Sequence, residues 1–257
     1  MCLLAFALDS HSRYRLVLAA NRDENYIRPT ASARFWSDAP DLLAGRDLEA
    51  GGTWLGVSRG GRLAALTNYY GPGEYAADKL SRGELIPDFL SGGLSPDDYL
   101  DILRRTGEQY NGFGLVFGDC DRLNFFSNRG TSVHGLISGI YGLSNHLLDS
   151  GWPKVSAIKQ GLKRILSEDI IDTEALFSLL HDRTRYPDEL LPDTGVGIMR
   201  ERALSSIFVA LEEFGTRCST VILVDRENRL TFLERSFNAR QKNIGTVEFQ
   251  FNLDSGQ

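Results

Sequence analysis

The chain opens on an apolar run, Cys2 to Leu8, which gives way to the polar turn Asp9–Ser12 and then to a second apolar run, Tyr14–Ala20. Two strand-length runs around a short polar turn predict a hairpin. The pattern recurs at Thr53–Ser58 and Arg62–Tyr69, joined across Arg59-Gly60-Gly61, where glycines supply the positive φ of a tight turn. A third hairpin is predicted from Phe113–Phe117 and Leu123–Phe126 around Gly118–Arg122, and Ile140–Leu143 reads as a further strand. Between the second and third hairpins lie two helical stretches. Arg82–Leu90 is short, and Asp98–Thr106 follows Ser95-Pro96, a capping serine with proline in the first turn. Later, Pro153–Ser167 carries Val155, Ile158, Leu162 and Ile165 at helical spacing, with its lysines and Arg164 expected outside. Thr173–His181 is the next helix, with Thr173 read as its cap. After the polar stretch Arg185–Thr194, strands return at Ser219–Val224, Leu230–Glu234 and Val247–Phe251.

Strands therefore come in hairpin-linked groups separated by groups of helices. A doubly wound parallel sheet would alternate strand and helix, so that architecture is excluded. The order suits an α/β protein in which antiparallel sheets pack face to face and helices cover their outer sides. No internal repeat or low-complexity tract is present, and residues 1–257 are expected to form a single domain.

Composition narrows the partners. A net charge of -6 opposes nucleic acid binding, which needs a basic stripe. No window reaches the roughly 18 apolar residues of a membrane span, and the start lacks the basic and long apolar regions of a secretory signal. The widely spaced cysteines Cys2, Cys120 and Cys218 form neither a disulfide framework nor a zinc pattern, so no metal site is expected and the compartment reads as cytoplasmic.

Cys2 is the first candidate for chemistry. A small residue behind Met1 favours trimming of the methionine, which would put a thiol and a free α-amine on one residue. That amine titrates near ~8 and can accept a proton about neutral pH. A nucleophile activated by its own terminal amine is an established catalytic device. The plain alternative is a small apolar residue in a first strand. In the hairpin, the end of strand two, Asn21-Arg22-Asp23-Glu24, returns beside the start of strand one. Arg22 would favour the thiolate, while Asp23 would hold the terminal ammonium or accept an amide proton. Asn68 and Asn145 close two further strands and can donate to an oxyanion, although asparagine is also an ordinary turn residue. Arg217 opens another strand. Gly51-Gly52-Thr53-Trp54 lacks the Gly-Lys-Ser/Thr of a phosphate loop and reads instead as entry into a strand under a packed Trp54.

These stretches resemble one family. Met1-Cys2, Leu16–Glu24 (LVLAANRDE), Gly51–Gly56 (GGTWLG), Leu63–Tyr69 (LAALTNY), Arg82–Leu85 (RGEL), Tyr110–Phe113 (YNGF), Tyr141–Asn145 (YGLSN) and Val221–Asp225 (VILVD) together resemble the NRDE family over nearly the whole chain. More distantly, the chain is similar to N-terminal-nucleophile hydrolases of the bile-salt hydrolase and penicillin V acylase type. That resemblance implies a four-layer αββα sandwich with two antiparallel sheets. It also implies a catalytic set of Cys2, Arg22, Asp23, Asn68, Asn145 and Arg217. In those hydrolases two residues separate the arginine from the aspartate, whereas Arg22 and Asp23 are adjacent here.

The NRDE resemblance itself implies haem mobilisation, with haem as non-covalent cargo and no catalytic cofactor. The candidate iron ligands are Cys2, His11, His134, His146, His181 and Met199. Arg22, Arg28 and Arg217 are candidates to pair with haem carboxylates. Two readings follow: haem trafficking, ranked first on the family resemblance, and a cysteine amidohydrolase acting on non-peptide C–N bonds, favoured by the residues around Cys2. In either case the partner is a small molecule.

Overall fold

The computed structural model describes residues 2–71, 75–130 and 135–254. Met1 and His134, named above, lie outside them. The first sheet is built from β1 (Cys2–Leu8), β2 (Tyr14–Asn25), β9 (Gly139–Leu143), β10 (Phe214–Asp225), β11 (Arg229–Phe237) and β12 (Asn243–Asn252), in the order β12-β11-β10-β2-β1-β9. The second holds β3 (Thr30–Phe35), β4 (Leu42–Asp47), β5 (Leu55–Ser58), β6 (Arg62–Asn68), β7 (Phe113–Asp119) and β8 (Arg122–Ser127), side by side in chain order. All the strand pairs are antiparallel.

Helices α3 (Pro153–Ile165) and α4 (Thr173–Leu180) cover the outer side of the first sheet, where Leu3, Ala5, Val17 and Ala19 meet Val155, Ile158, Leu162 and Phe177. Helices α1 (Leu85–Ser91) and α2 (Pro96–Thr106) cover the second sheet, packing Phe89, Tyr99 and Leu103 on Leu66, Leu115 and Phe117. Between the sheets, Leu4, Phe6, Leu16 and Leu18 face Leu43, Trp54, Val57 and Val116. The result is the expected αββα sandwich. It explains the unbroken apolar run of β1: alternate residues enter two different cores, so both faces need apolar side chains.

Several local expectations hold in detail. Ser95 caps α2 by accepting a hydrogen bond from Asp98 N, with Pro96 in the first turn. Others need correction. The cap of α4 is Asp172, whose carboxylate accepts from Glu174 N, and Thr173 is already helical. The Arg82–Leu90 stretch begins as a 3₁₀ turn, Arg82–Glu84, before α1. In the Arg59-Gly61 turn only Gly61 has positive φ. Strands β3 and β4 and the short helix α5 (Ile198–Leu204) had no counterpart in the sequence pattern. The β3 ladder is broken by a bulge between Ala31 and Arg34, which destroys its period of two.

Candidate functional site

The site is built on the register of three strands. Cys2 of β1 lies opposite Arg22 of β2, and Arg22 lies opposite Cys218 of β10. Residues directly opposite one another share a face, so this row faces the second sheet, where Cys2 and Cys218 pack against the central core. Successive side chains on a strand alternate, and the NRDE run divides accordingly. Arg22 turns inward. Its guanidinium stacks over Trp54 at 4.3 Å, donates to Thr30 Oγ1 at 3.1 Å and pairs with Asp47 at 3.4 Å and Glu24 at 3.8 Å. Asn21 turns outward, donating to Leu180 O and Ile207 O and accepting from Ser219 Oγ at 2.6 Å. It ties the helical layer to the sheet. Asp23 also turns outward, buried, and accepts from Thr216 Oγ1 at 2.6 Å. One residue beyond Arg22 in the register, it stands level with the α-nitrogen end of Cys2.

Two loop ends meet beside the start of β1. Asn68 ends β6, and Asn145 follows β9. Asn145 Nδ2 donates to Asn68 O at 3.0 Å, and Tyr70 N donates to Asn145 O at 2.9 Å. Ser144 Oγ donates to Cys2 O at 3.4 Å, which draws the Asn145 turn to the nucleophile's own strand. Asn68 Nδ2 donates to the Tyr70 phenol at 3.5 Å. The structure thus brings Cys2, Arg22, Asp23, Asn68 and Asn145 to one end of the sandwich. Arg217 sits in the bulge between Thr216 and Cys218, where its Nη1 donates to Asn25 O at 2.8 Å and Arg28 O at 2.9 Å. Its described hydrogen bonds run to the backbone at the end of β2 and just beyond it, and none runs to Cys2. Arg28 is held by Asp47 at 2.6 Å and Glu49 at 2.9 Å.

The electrostatics correct one expectation. Burial is the largest influence on the Cys2 thiol and holds it above its ordinary value, outweighing the downward pull of Arg22. Cys2 is half-buried as a residue, with its sulfur on the enclosed side. A neutral thiol at rest needs a base at the moment of attack. Asp23 is also raised, first by burial, against the opposing pull of the Thr216 hydrogen bond, Lys154 and Arg22.

Three residues here escaped the sequence reading. Lys154, expected outside, is only 5 % exposed and donates to Leu204 O at 3.0 Å. Burial pulls its ammonium down, while Asp23, Glu201 and Cys2 pull it up. The signal was present: Lys154 precedes Ile158 by four positions and lies on the same stripe of α3. Tyr70 and Arg82 also feel the thiol electrostatically. Arg82 was visible only as part of the RGEL stretch. A cavity of about 210 Å³ adjoins this end of the molecule, walled by Trp152, Leu191, Val196, Leu204 and Phe214. Tyr70, Asn145 and Lys154 contribute to its lining and Cys2 does not, so the cavity abuts the site without containing the thiol.

The candidate haem ligands are dispersed. His11 sits in the β1–β2 turn, at the other end of the strand from Cys2, bonded to Glu168 O at 2.9 Å. His146 stacks on Tyr69, His181 lies against Phe208 and Phe237, and Met199 is exposed. Among the described residues no group of three or more His, Cys, Asp or Glu side chains could hold a metal ion.

Two antiparallel sheets packed face to face with helices outside form an αββα sandwich of the N-terminal-nucleophile hydrolase-like fold. The C2A mutant of the conjugated bile acid hydrolase from Clostridium perfringens is similar in fold, with a TM-score of 0.50 over 98% of this chain and 97% of that one at 9% sequence identity. The profile of the Transport and Golgi organisation 2 family matches residues 1–239, and the chain belongs to this family. The Transport and Golgi organization 2 homolog of Mus musculus is 37% identical over 277 residues, covering 99% of this chain and 100% of the relative. The Drosophila melanogaster protein is 31% identical over 267 residues, with 92% of each chain covered. The family resemblance carried by the NRDE run is borne out.

Proposed function

We propose that the protein is an N-terminal cysteine amidohydrolase acting on non-peptide C–N bonds. The observation that carries this reading is the direct register of Cys2 with Arg22, with the Asn145–Asn68 lock beside it, on a fold whose first strand begins with the nucleophile. With Met1 removed, the α-amine of Cys2 is the base that the neutral thiol requires. It takes the thiol proton as sulfur attacks the substrate carbonyl. The Asn68 and Asn145 amides are the side-chain donors assigned to the oxyanion that forms, a contribution of a few kcal/mol each. The C–N bond then breaks and the leaving amine takes the proton from the α-ammonium. Water, deprotonated by the same amine, hydrolyses the thioester. Asp23 holds and orients the ammonium form.

Three unpaired cysteines support a reducing, cytoplasmic location, and no described helix is long and apolar enough to cross a membrane.

The test is intact mass followed by acylation. Native protein should begin at Cys2 and gain one acyl mass on that residue from a panel of amides, esters and lactones. Cys2→Ala should lose turnover and keep ligand binding. Retention of Met1 in most molecules, or no acylation by any member of the panel, would overturn the reading. Haem carriage ranks second, because Arg22 and Arg28 already face Asp47. Saturable haem binding near one per chain, weakened by replacing Arg22 and Arg217 together, would reverse the order.

A further inference from the structure

The glycines of the GGTW and RGEL stretches have no role in the chemistry above, yet they meet in space. Thr53 N donates to Gly83 O at 3.1 Å. A Cβ on Gly52 would stand 2.3 Å from Gly83 O, and a Cβ on Gly83 would stand 3.3 Å from Thr53 O. The two backbones cross in contact, and Gly52 in particular admits no side chain. This crossing fixes Arg82, whose Nη1 donates to Gly112 O at 2.8 Å. Gly112 O also accepts from Tyr69 N at 2.8 Å, so the half-buried guanidinium sits beside the Asn68 end of the site. Burial pulls it below its ordinary value, while Tyr70, Cys2, Tyr75 and Glu24 pull it up.

The cations around the thiol differ in what balances them. Arg22 pairs with Asp47 and Glu24. Asp23 and Glu201 both favour the charged form of buried Lys154. Arg82 makes no ion pair among the described residues, and the carboxylate that it feels, Glu24, is the one already paired with Arg22. A partly desolvated cation without its own counter-ion is costly to keep. A guanidinium presents its donors as a planar fork that matches a carboxylate.

We propose that Arg82 is a specificity-determining residue that binds an anionic group of the substrate, a carboxylate placed close to the scissile amide. The glycine crossing is the device that holds it beside the Asn68 end of the site. The inference rests on the amidohydrolase reading for the word substrate, but its test does not need turnover.

Cys120 and Cys218 are 2 % and 4 % exposed, whereas Cys2 is half-buried and is the most accessible of the three thiols. The experiment compares the rate of Cys2 alkylation by iodoacetate with that by iodoacetamide, the labelled residue being identified by peptide mass. The ratio cancels changes in thiol ionisation, because both reagents meet the same thiolate. In the native protein the anionic reagent should be favoured. Arg82→Met should lower the ratio about tenfold, the scale of one charge-assisted hydrogen-bonded contact, and Arg82→Lys should recover part of it. An unchanged ratio in a folded Arg82→Met protein would overturn the proposal.

A second measurement needs no variant. N-acetylglycine should protect Cys2 from iodoacetamide at lower concentration than N-acetylglycinamide, and equal protection would count against an anion subsite. If the amidohydrolase reading alone is wrong, the panel fails to acylate while the iodoacetate preference remains. If Arg82 alone is misassigned, acylation proceeds without that preference.

Discussion

The Arg22 guanidinium lies 4.3 Å from the centre of the Trp54 ring, joining β2 of one sheet to the strand entry of the other. Trp54 also fills the space over Gly45, where a Cβ would meet its ring at 2.4 Å. The indole is therefore both a core residue and the platform for the charge opposite Cys2. Trp54→Ala should cost about 3–5 kcal/mol of stability, in the range for large-to-small core changes. Trp54→Phe should cost less and retain part of the cation–π contact. Urea denaturation measures both, and equal losses would show that the ring's stacking area has no part in the effect.

Asn145 supports the site in two ways, through its bond to Asn68 O and through its place beside Ser144. Asn145→Asp preserves size but replaces the donor with a carboxylate that repels Asn68 O. It should slow acylation of Cys2 by roughly 10²–10³, the range seen when one oxyanion donor is removed. Asn145→Ala should do the same with less damage to the loop. Single-turnover acylation followed by mass separates this from a change in binding, and a variant that acylates at the native rate would remove Asn145 from the machinery.

Lys154 holds Asp23 toward its ionised form against burial. Lys154→Met removes that charge at similar volume, so Asp23 must take up a proton at higher pH than before. The acidic limb of the pH–acylation profile should therefore move upward, with the rate at high pH less affected. A profile that falls in height without shifting would indicate loss of packing at the cavity wall.

Glu234 lies between the sheets, 2 % exposed, with Oε1 accepting from Ala33 N at 2.7 Å. Burial, the largest influence, raises it from 4.5 to about 7 despite that bond and the Cys218 and Thr220 hydrogen bonds. The folded protein thus binds a proton that the unfolded chain releases earlier. Its contribution to stability is full below about pH 4.5 and is lost as the pH rises to about 7. The whole change is on the order of 3 kcal/mol. Glu234→Gln should flatten the stability–pH curve across that window. Parallel curves for native and variant protein would show that Glu234 is not the group responsible.

The chain's local pattern sufficed to define the β1–β2 hairpin, and with it the pairing of Cys2 with Arg22. Strand length, a polar turn and a period of two settle which residues stand opposite and which alternate. The same rule sends Arg22 and Asp23 to opposite faces, so their adjacency is a division of labour that one strand can encode. Local pattern was silent where the ladder is irregular, as at the bulged β3 and the short α5 that walls the cavity. Tertiary structure alone decided that Arg82, Tyr70 and Lys154 gather at the Cys2 end of the sandwich, and that Glu234 is enclosed under Ala33. Periodicity states which face of an element is apolar, but not which distant face it meets. Charges reach the thiol only after segments separated by tens to hundreds of residues have packed, and their burial, which governs their titration, exists only in the assembled sandwich.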